Sequence, residues 1–208
     1  MSGQSVRYCA VGDIKAMMPD LNWGASYDAI FESLSMRASR LIDYETGKAP
    51  GSFANTETAE IRYFDGSGTS ELWIDETPAL PSVIAVATDG MNYVNWATPP
   101  IYFTGWPYNA ISLGVPFLRL DLDIFRSSEV IWYKYPRSVK LTSVWGYSVR
   151  PPDLITQAAI MQSIRWFKRG QAGFADTAAN PNLTQLSYTS RLDPEIAEML
   201  DLFKRTTI

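Results

Sequence analysis

Asp121 and Asp123 bracket Leu122. On an extended strand alternate residues share a face, so this spacing sets two carboxylates side by side. Such a pair can divide acid and base roles at a glycosidic bond, or hold a hard cation. A solvated strand edge or a turn has the same spacing. Asp65-Gly66-Ser67-Gly68-Thr69-Ser70-Glu71 places oxygens at alternating positions, in the manner of a calcium loop, but lacks the glycine placement and distal glutamate of an EF-hand. A hairpin turn accounts for the same residues. Gly66-Ser67-Gly68 is not followed by the Gly-Lys-Ser/Thr ending that grips phosphate. Cys9 is the single cysteine and there is no histidine. That removes Ser-His-Asp and Cys-His nucleophile systems, the commonest metal ligand and the usual proton switch near neutral pH. Cys9 reads as a buried structural thiol. Trp73, Trp96, Tyr102, Trp106, Tyr108, Trp132, Tyr133 and Trp145 crowd one stretch. Aromatic platforms stack sugars or single-stranded bases, and aromatics equally fill a small β core. Arg165, Lys168 and Arg169 read either as a DNA contact or as a basic helix end that suits the helix dipole. No catalytic constellation, cofactor site or metal site emerges, so function is sought in shape and assembly.

The elements that position these residues follow from composition and pattern. The chain has 208 residues, 46% hydrophobic, 19% charged and 13% aromatic. It is long enough for one domain, or one with an insertion, built on a real core. A formal charge of −4 makes it a poor candidate for a dedicated nucleic-acid binder, whose affinity comes from neutralising phosphates. The start, MSGQSVRYCAVGDIKAMM, has no basic flank followed by an apolar run and is not read as a signal peptide. No stretch approaches the roughly 18 apolar residues of a membrane helix. One unpaired cysteine fits a chain made in a reducing cytoplasm.

Asp13 is expected to cap a short helical turn that ends before Pro19. Ala25 to about Tyr44 reads as a helix with Ile30, Leu34, Leu41 and Phe31, Ala38, Ile42 on one stripe, Ser26 as N-cap and Gly47 as the stop. Lys48 to Thr58 is linker-like. From Glu60 to about Tyr147 short β-like runs alternate with turns, and Ile61–Phe64 and Glu71–Asp75 flank the Asp65–Gly68 hairpin signal. Further runs lie at Val83–Ala87, before the Asp89-Gly90 turn, and at Tyr93–Trp96 and Ile101–Phe103, on either side of Pro99-Pro100. Pro151-Pro152-Asp153 opens a second long helix, ended by Gly170. Gln171 to Ser190 is loop-like. Asp193-Pro194-Glu195 starts a last helix with Ile196, Met199, Leu200 and Phe203 on its apolar face. The expected fold is α+β: a small α-helical bundle core with an inserted antiparallel β-domain. Residues 1–58 supply the N-terminal helical part and linker, 59–148 the insert, and 149–208 the C-terminal helical part. Both ends of an insert must return to one place.

Val139 to Arg169 carries a resemblance. An apolar strand ends in Trp145-Gly146-Tyr147, Pro151-Pro152-Asp153 follows, and a helix begins with Leu154-Ile155 and Gln157-Ala158. This pattern resembles the closing strand and helix of bacteriophage head–tail connector proteins, the adaptor or head-completion proteins beneath the portal. The stretch around Phe64 to Thr69 is similar to the β insertion of the longer members. The resemblance implies a non-enzymatic structural protein of the virion neck, made in the host bacterial cytoplasm and acting without a cofactor. It implies a dodecameric ring of copies docked on the portal protein, extending the DNA channel and offering a surface to the next connector or tail protein. DNA would pass the lumen without specific binding, and no membrane is involved. The C-terminal helix, with Ile196, Met199, Leu200, Phe203, Lys204 and Arg205, is the candidate portal interface; its other reading is packing on its own subunit. Trp145, Gly146, Tyr147, Pro152, Asp153, Gln157 and Ala158 are the family-motif residues. The alternatives are a carbohydrate-binding β-module protein and another tail-completion or terminator factor.

Overall fold

Two long stretches of helical periodicity flank a region that alternates apolar and polar residues, and the chain folds into two units along that division. In the computed structural model residues 6–19, 23–56, 58–96, 102–171 and 192–204 are described. Unit 1 is Met1–Ser52 with Pro151–Ile208, and unit 2 is the contiguous Phe53–Arg150.

Unit 1 is built on α1 (Val11–Ala16), α2 (Asp28–Thr46), α4 (Asp153–Gln171) and α5 (Pro194–Asp201). The long helices α2 and α4 pack on each other, and α1 and α5 each touch both. Trp23, Tyr27 and Phe31, at the start of α2, surround Phe167, near the end of α4, so the two helices run antiparallel. The Trp23 and Phe167 rings meet edge to face at 5.2 Å, an arrangement that aromatic quadrupoles favour. Gly47 ends α2 in the left-handed conformation at φ 68°, as its position after the last helical turn implies.

The buried face of α2 differs from the expected stripe. Ile30 is 46% exposed, while Ser35 and Ser39 are fully buried beside Phe31, Ala38 and Ile42. Hydrogen bonding explains the rotation. Ser35 Oγ donates to the Cys9 carbonyl at 2.7 Å. Ser39 Oγ accepts from the Tyr8 amide at 2.9 Å and donates to the Ser35 carbonyl. Small hydroxyls let residues 8 and 9 lie close against the helix and satisfy their backbone, which larger apolar side chains would not allow. Asp13 does not cap α1 from outside: Ala10 holds the N-cap, and the Asp13 carboxylate in the first turn accepts from the Ala10 amide at 2.8 Å. Ser26 lies in a 3-10 turn, Ala25–Tyr27, and α2 has no side-chain cap. Helix α4 continues one residue past Gly170.

Unit 2 holds two antiparallel sheets. Strands β1 (Glu60–Phe64), β7 (Val139–Ser143), β3 (Val83–Val86) and β4 (Val94–Asn95) lie in the order β1-β7-β3-β4. Strands β2 (Glu71–Thr77), β6 (Phe117–Leu122) and β5 (Phe103–Trp106) form the second sheet, in the order β2-β6-β5, with the short α3 (Ala110–Leu113) joining β5 to β6. Pro99, Pro100 and Ile101, residues 172–190 of the expected loop, and Arg205 lie outside the described residues. One core joins the sheets: Leu72, Leu120 and Leu122 from one side, Ile84, Val86, Val139 and Leu141 from the other, with Trp96, Trp132 and Trp145 filling the gaps. The Trp96 and Trp132 rings stack at 5.2 Å. The Trp132 and Trp145 indole N–H groups donate to the Ser70 and Glu60 carbonyls at 3.0 and 2.9 Å, so both indoles are buried without an orphaned donor.

The expected hairpin of β1 and β2 across Asp65–Gly68 does not form. β1 pairs with β7 and β2 with β6, in different sheets. The glycine loop passes from one sheet to the other, held by residues 132–135: the Gly66 amide donates to Tyr135 O and the Gly68 amide to Trp132 O at 2.8 Å. A Cβ on Gly66 would lie 1.8 Å from Tyr133 O. Close approach, rather than a two-residue turn, is what requires glycine there.

The incoming and outgoing chains of unit 2 clasp each other. The Thr56 amide donates to Trp145 O at 2.8 Å, and the Trp145 amide donates to Thr56 Oγ1 at 3.1 Å. The Gly146 amide donates to Glu76 O at 2.8 Å, and the Phe53 and Tyr147 rings meet at 5.7 Å. Gly146 sits at φ 144°, and a Cβ there would fall 2.2 Å from Ala54 O. Gly146→Ala should therefore lower the unfolding free energy by about 2–4 kcal/mol, through strain and loss of the clasp. Gly12→Ala, where a Cβ meets nothing within 4 Å, is the matched control and should be neutral or slightly stabilising. Urea unfolding midpoints check both, and equal midpoints for Gly146→Ala and wild type would contradict the clasp.

Asp43 is buried at the end of α2. Its carboxylate accepts from the Tyr8 hydroxyl and from the Gly51 amide at 2.9 Å. Burial raises its pKa above the ordinary aspartate value, against the lowering effect of those donors and of Arg40. The folded state thus binds the proton more tightly than the unfolded one. This group's contribution to stability is full below the unfolded pKa and is lost as pH rises through the folded value. Asp43→Asn cannot titrate. The stability difference, wild type minus variant, should fall as pH rises above about 4; urea titrations across pH that show it rising contradict the assignment.

Candidate functional site

Strand alternation decides which side chains unit 2 shows to solvent. In the β2-β6-β5 sheet Leu72 and Leu120 turn into the core, so their neighbours turn out. Trp73 pairs with Arg119, and Arg119 with Trp106, giving one rung across three strands. The Arg119 guanidinium lies 5.5 Å from the Trp73 ring centroid and 5.3 Å from that of Trp106. Two carboxylates converge on it: Asp121 Oδ1 at 2.7 Å from Nε, and Glu71 Oε2 at 3.1 Å from Nη1. Burial pulls the Arg119 pKa down, but the Asp121 hydrogen bond and the charges of Asp121 and Glu71 outweigh it and raise it. Tyr108, 70% exposed, donates its hydroxyl to Asp121 Oδ2 at 3.0 Å, which holds the phenol above its ordinary pKa. This face is aromatic, with two acids sharing one cation.

The outer face of the other sheet has the opposite balance. Val139 and Leu141 face the core, so Lys140 faces out, paired with Tyr63 of β1. The Lys140 ammonium lies 5.8 Å from the Tyr93 ring, the Arg137 guanidinium 4.6 Å from the Tyr63 ring, and the two rings are 5.7 Å apart. Asp65 accepts from the Arg137 backbone amide at 2.7 Å. Among the described residues neither the Arg137 nor the Lys140 side chain has an ion-pair partner. Ile61, 50% exposed, and Tyr63 extend the face along the edge strand.

The residues singled out for chemistry are accounted for differently. Asp121 sits in the Arg119 network, while Asp123 lies beyond β6 and accepts from the Phe125 and Arg126 amides. The two therefore do not form a pair on one strand face; the strand ends at Leu122, and Asp123 turns the chain. Ser67 and Thr69 bond locally: the two hydroxyls meet at 3.0 Å, and Ser67 Oγ donates to Glu71 O. Among the described residues no group of three or more His, Cys, Asp or Glu could hold a metal ion. Burial pushes the Cys9 thiol up. The aromatics divide. Trp96, Trp132 and Trp145 are core, whereas Trp73 and Trp106 clamp a guanidinium rather than offering an open platform. Arg165 pairs with Asp193 at 3.2 Å.

The residues that carry the resemblance have structural roles. Trp145 is buried, Gly146 and Tyr147 form the clasp, and Asp153 begins α4 with the Pro152 carbonyl accepting from the Thr156 amide. Ala158 is buried in the helical unit and Gln157 half-buried. In α5 Ile196 and Leu200 are buried against their own unit, where α5 packs on α4 and α2. Met199 and Phe203 are half-buried, and Lys204 is exposed and paired with Asp201. Sequence reasoning missed Arg119 and Lys140. Their signal was a cation flanked at alternate positions by apolar strand residues, across from aromatics whose pairing only the fold reveals.

No protein-family model matches the sequence, and no curated protein matches it. Among solved structures, the fold is similar to that of a chain in the neck of an empty GTA particle computed with C6 symmetry. Identity is 12% and the TM-score 0.54, over 97% of this chain and 91% of that one. The likeness shows a shared fold of α+β class. No helix among the described residues is long and apolar enough to cross a membrane.

Replacing Arg119 leaves Glu71 and Asp121 facing each other without their cation. Arg119→Met should cost about 1–3 kcal/mol, and Arg119→Lys, which keeps charge but loses the planar stack, a smaller part of that. Asp75→Asn, which breaks only the exposed 2.7 Å pair with Arg62, should cost less than about 1 kcal/mol. Urea unfolding of the three variants gives the ranking, and an Asp75→Asn cost equal to that of Arg119→Met would contradict it.

Proposed function

We propose that this chain is a structural component of the neck of a phage-like particle, part of the joint between head and tail. The observation that carries this reading is the fold shared with a neck chain over nearly the whole length of both proteins. The helix–β–helix order and the Trp145-Gly146-Tyr147 and Pro151-Pro152-Asp153 motif support it independently. The work of such a protein is to hold surfaces at fixed positions, and the networks found on both outer faces of unit 2 suit holding rather than turnover.

In its finer form the proposal places the chain as a head–tail adaptor. Copies form a ring under the portal, dodecameric in the connector family it resembles, which extends the DNA channel and gives the next neck or tail protein a docking surface. A ring is a closed set of heterologous contacts, one flank of each subunit meeting the other flank of its neighbour. The net charge of −4 disfavours adsorption of DNA passing along the channel. On α5 the proposed portal contacts are Met199, Phe203 and Lys204, with Arg205 next in sequence, while Ile196 and Leu200 hold the helix in place. Residence in the virion follows from this role, with synthesis in the host cytoplasm before assembly.

The test is the light-scattering mass of the purified chain, alone and mixed with the portal of its own particle. A complex with one copy per portal subunit is the expected result. Binding to the tail tube but not to the portal would replace the adaptor role by a tail-completion role. A monomer that binds neither would overturn the neck reading.

A further inference from the structure

We infer that the two outer faces of unit 2 bind each other between neighbouring copies, the acidic aromatic face of one subunit on the basic tyrosine face of the next. The inference rests on the ring reading above and names the surfaces that would close the ring. The first argument is charge. On the β2-β6-β5 face, Glu71 and Asp121 share the single cation Arg119, which leaves an excess of negative charge. On the opposite face, Arg137 and Lys140 rest on Tyr63 and Tyr93 and have no ion-pair partner among the described residues. Among the described residues each face carries in excess the charge that is scarcer on the other.

The second argument is apolar area. Trp73 is 53% exposed and Tyr108 70% on the acidic face; Ile61 is 50% and Tyr63 43% exposed on the basic one. Exposed aromatics with a few charges are the composition of interface centres rather than of ordinary surface. The third argument is geometry. The faces lie on two different sheets, each on the side turned away from a shared core. Two different complementary patches on one body make a head-to-tail contact, the type that repeats into rings. A patch that matched itself would stop at a dimer.

Charge reversal tests this on the full-length chain. One variant carries Arg137→Glu with Lys140→Glu, and the other carries Glu71→Lys. Circular dichroism and urea midpoints establish that each is folded. Self-association is read by sedimentation velocity, free and on the portal ring. Each variant alone should associate at least about tenfold more weakly than wild type, because every contact then sets like charges together. An equimolar mixture of the two should recover association, since each variant keeps the face that the other has lost. Unchanged association in either variant, or no recovery on mixing, overturns the face-to-face contact while leaving the neck reading in place. A wild-type chain that never associates with itself, free or on the portal, overturns the ring reading instead.

Discussion

The clasp at Gly146 is the constraint on which unit 2 depends. An inserted unit must begin and end at one place, and here the chain meets that demand with reciprocal bonds between Thr56 and Trp145 and a backbone contact that excludes any side chain at Gly146. Trp145 lies two residues past β7, so fixing it fixes the end of an inner strand of the four-stranded sheet. Its indole reaches back to Glu60 at the start of β1, and its ring packs with Phe64 at the end of that strand. The registers of β1 and β3 on β7 follow. Those registers in turn decide that Lys140 faces outward beside Tyr63. The outer faces are thus a consequence of how the insert is closed, since a slip of one residue would exchange core and surface along the strand.

Where local chemistry decides an element, the residues announce it. Gly47 ends α2, Asp153 begins α4, and Asp193-Pro194-Glu195 begins α5, where Asp193 accepts from the Glu195 amide at 3.1 Å. β7 alternates apolar and polar residues, and its burial alternates with them. The readings that failed depend on partners far away in the chain. Asp65-Gly66-Ser67-Gly68 has hairpin chemistry, but its glycines answer to Tyr133 and Lys134, and nothing nearby in the sequence reveals that. Ser35 and Ser39 lie beside a plausible apolar stripe, and only the return of Cys9 and Tyr8 onto α2 makes hydroxyls the better buried side chains.

The candidate site was half legible for the same reason. A crowd of aromatics was evident, but its division was not. Trp132 lies outside any strand and is fully buried, while Trp73 lies within a strand and is more than half exposed. Type and spacing do not separate such residues; the sheet to which each strand belongs does. Arg119 carries no motif. Its importance comes from lying opposite Trp73 and Trp106 and next but one to Asp121, a coincidence of two registers. On α5, by contrast, a clear amphipathic helix was visible, and its own unit proved to be the partner of Ile196 and Leu200.

The division of the chain also bears on the order in which it folds during synthesis. Unit 2 is contiguous, residues 53–150, whereas unit 1 is assembled from both ends. The contacts of Tyr8 and Cys9 with α2 are available once the first 52 residues have been made. The ring cluster of Trp23, Tyr27 and Phe31 has no Phe167 to close on until the whole β unit has been translated. Contacts of such long sequence separation form late, and domains emerging from the ribosome fold in sequence. The β unit can therefore finish first, and α2 keeps an apolar flank uncovered for the time that about a hundred residues take to make. That interval, rather than the finished fold, is where a chaperone would find this protein.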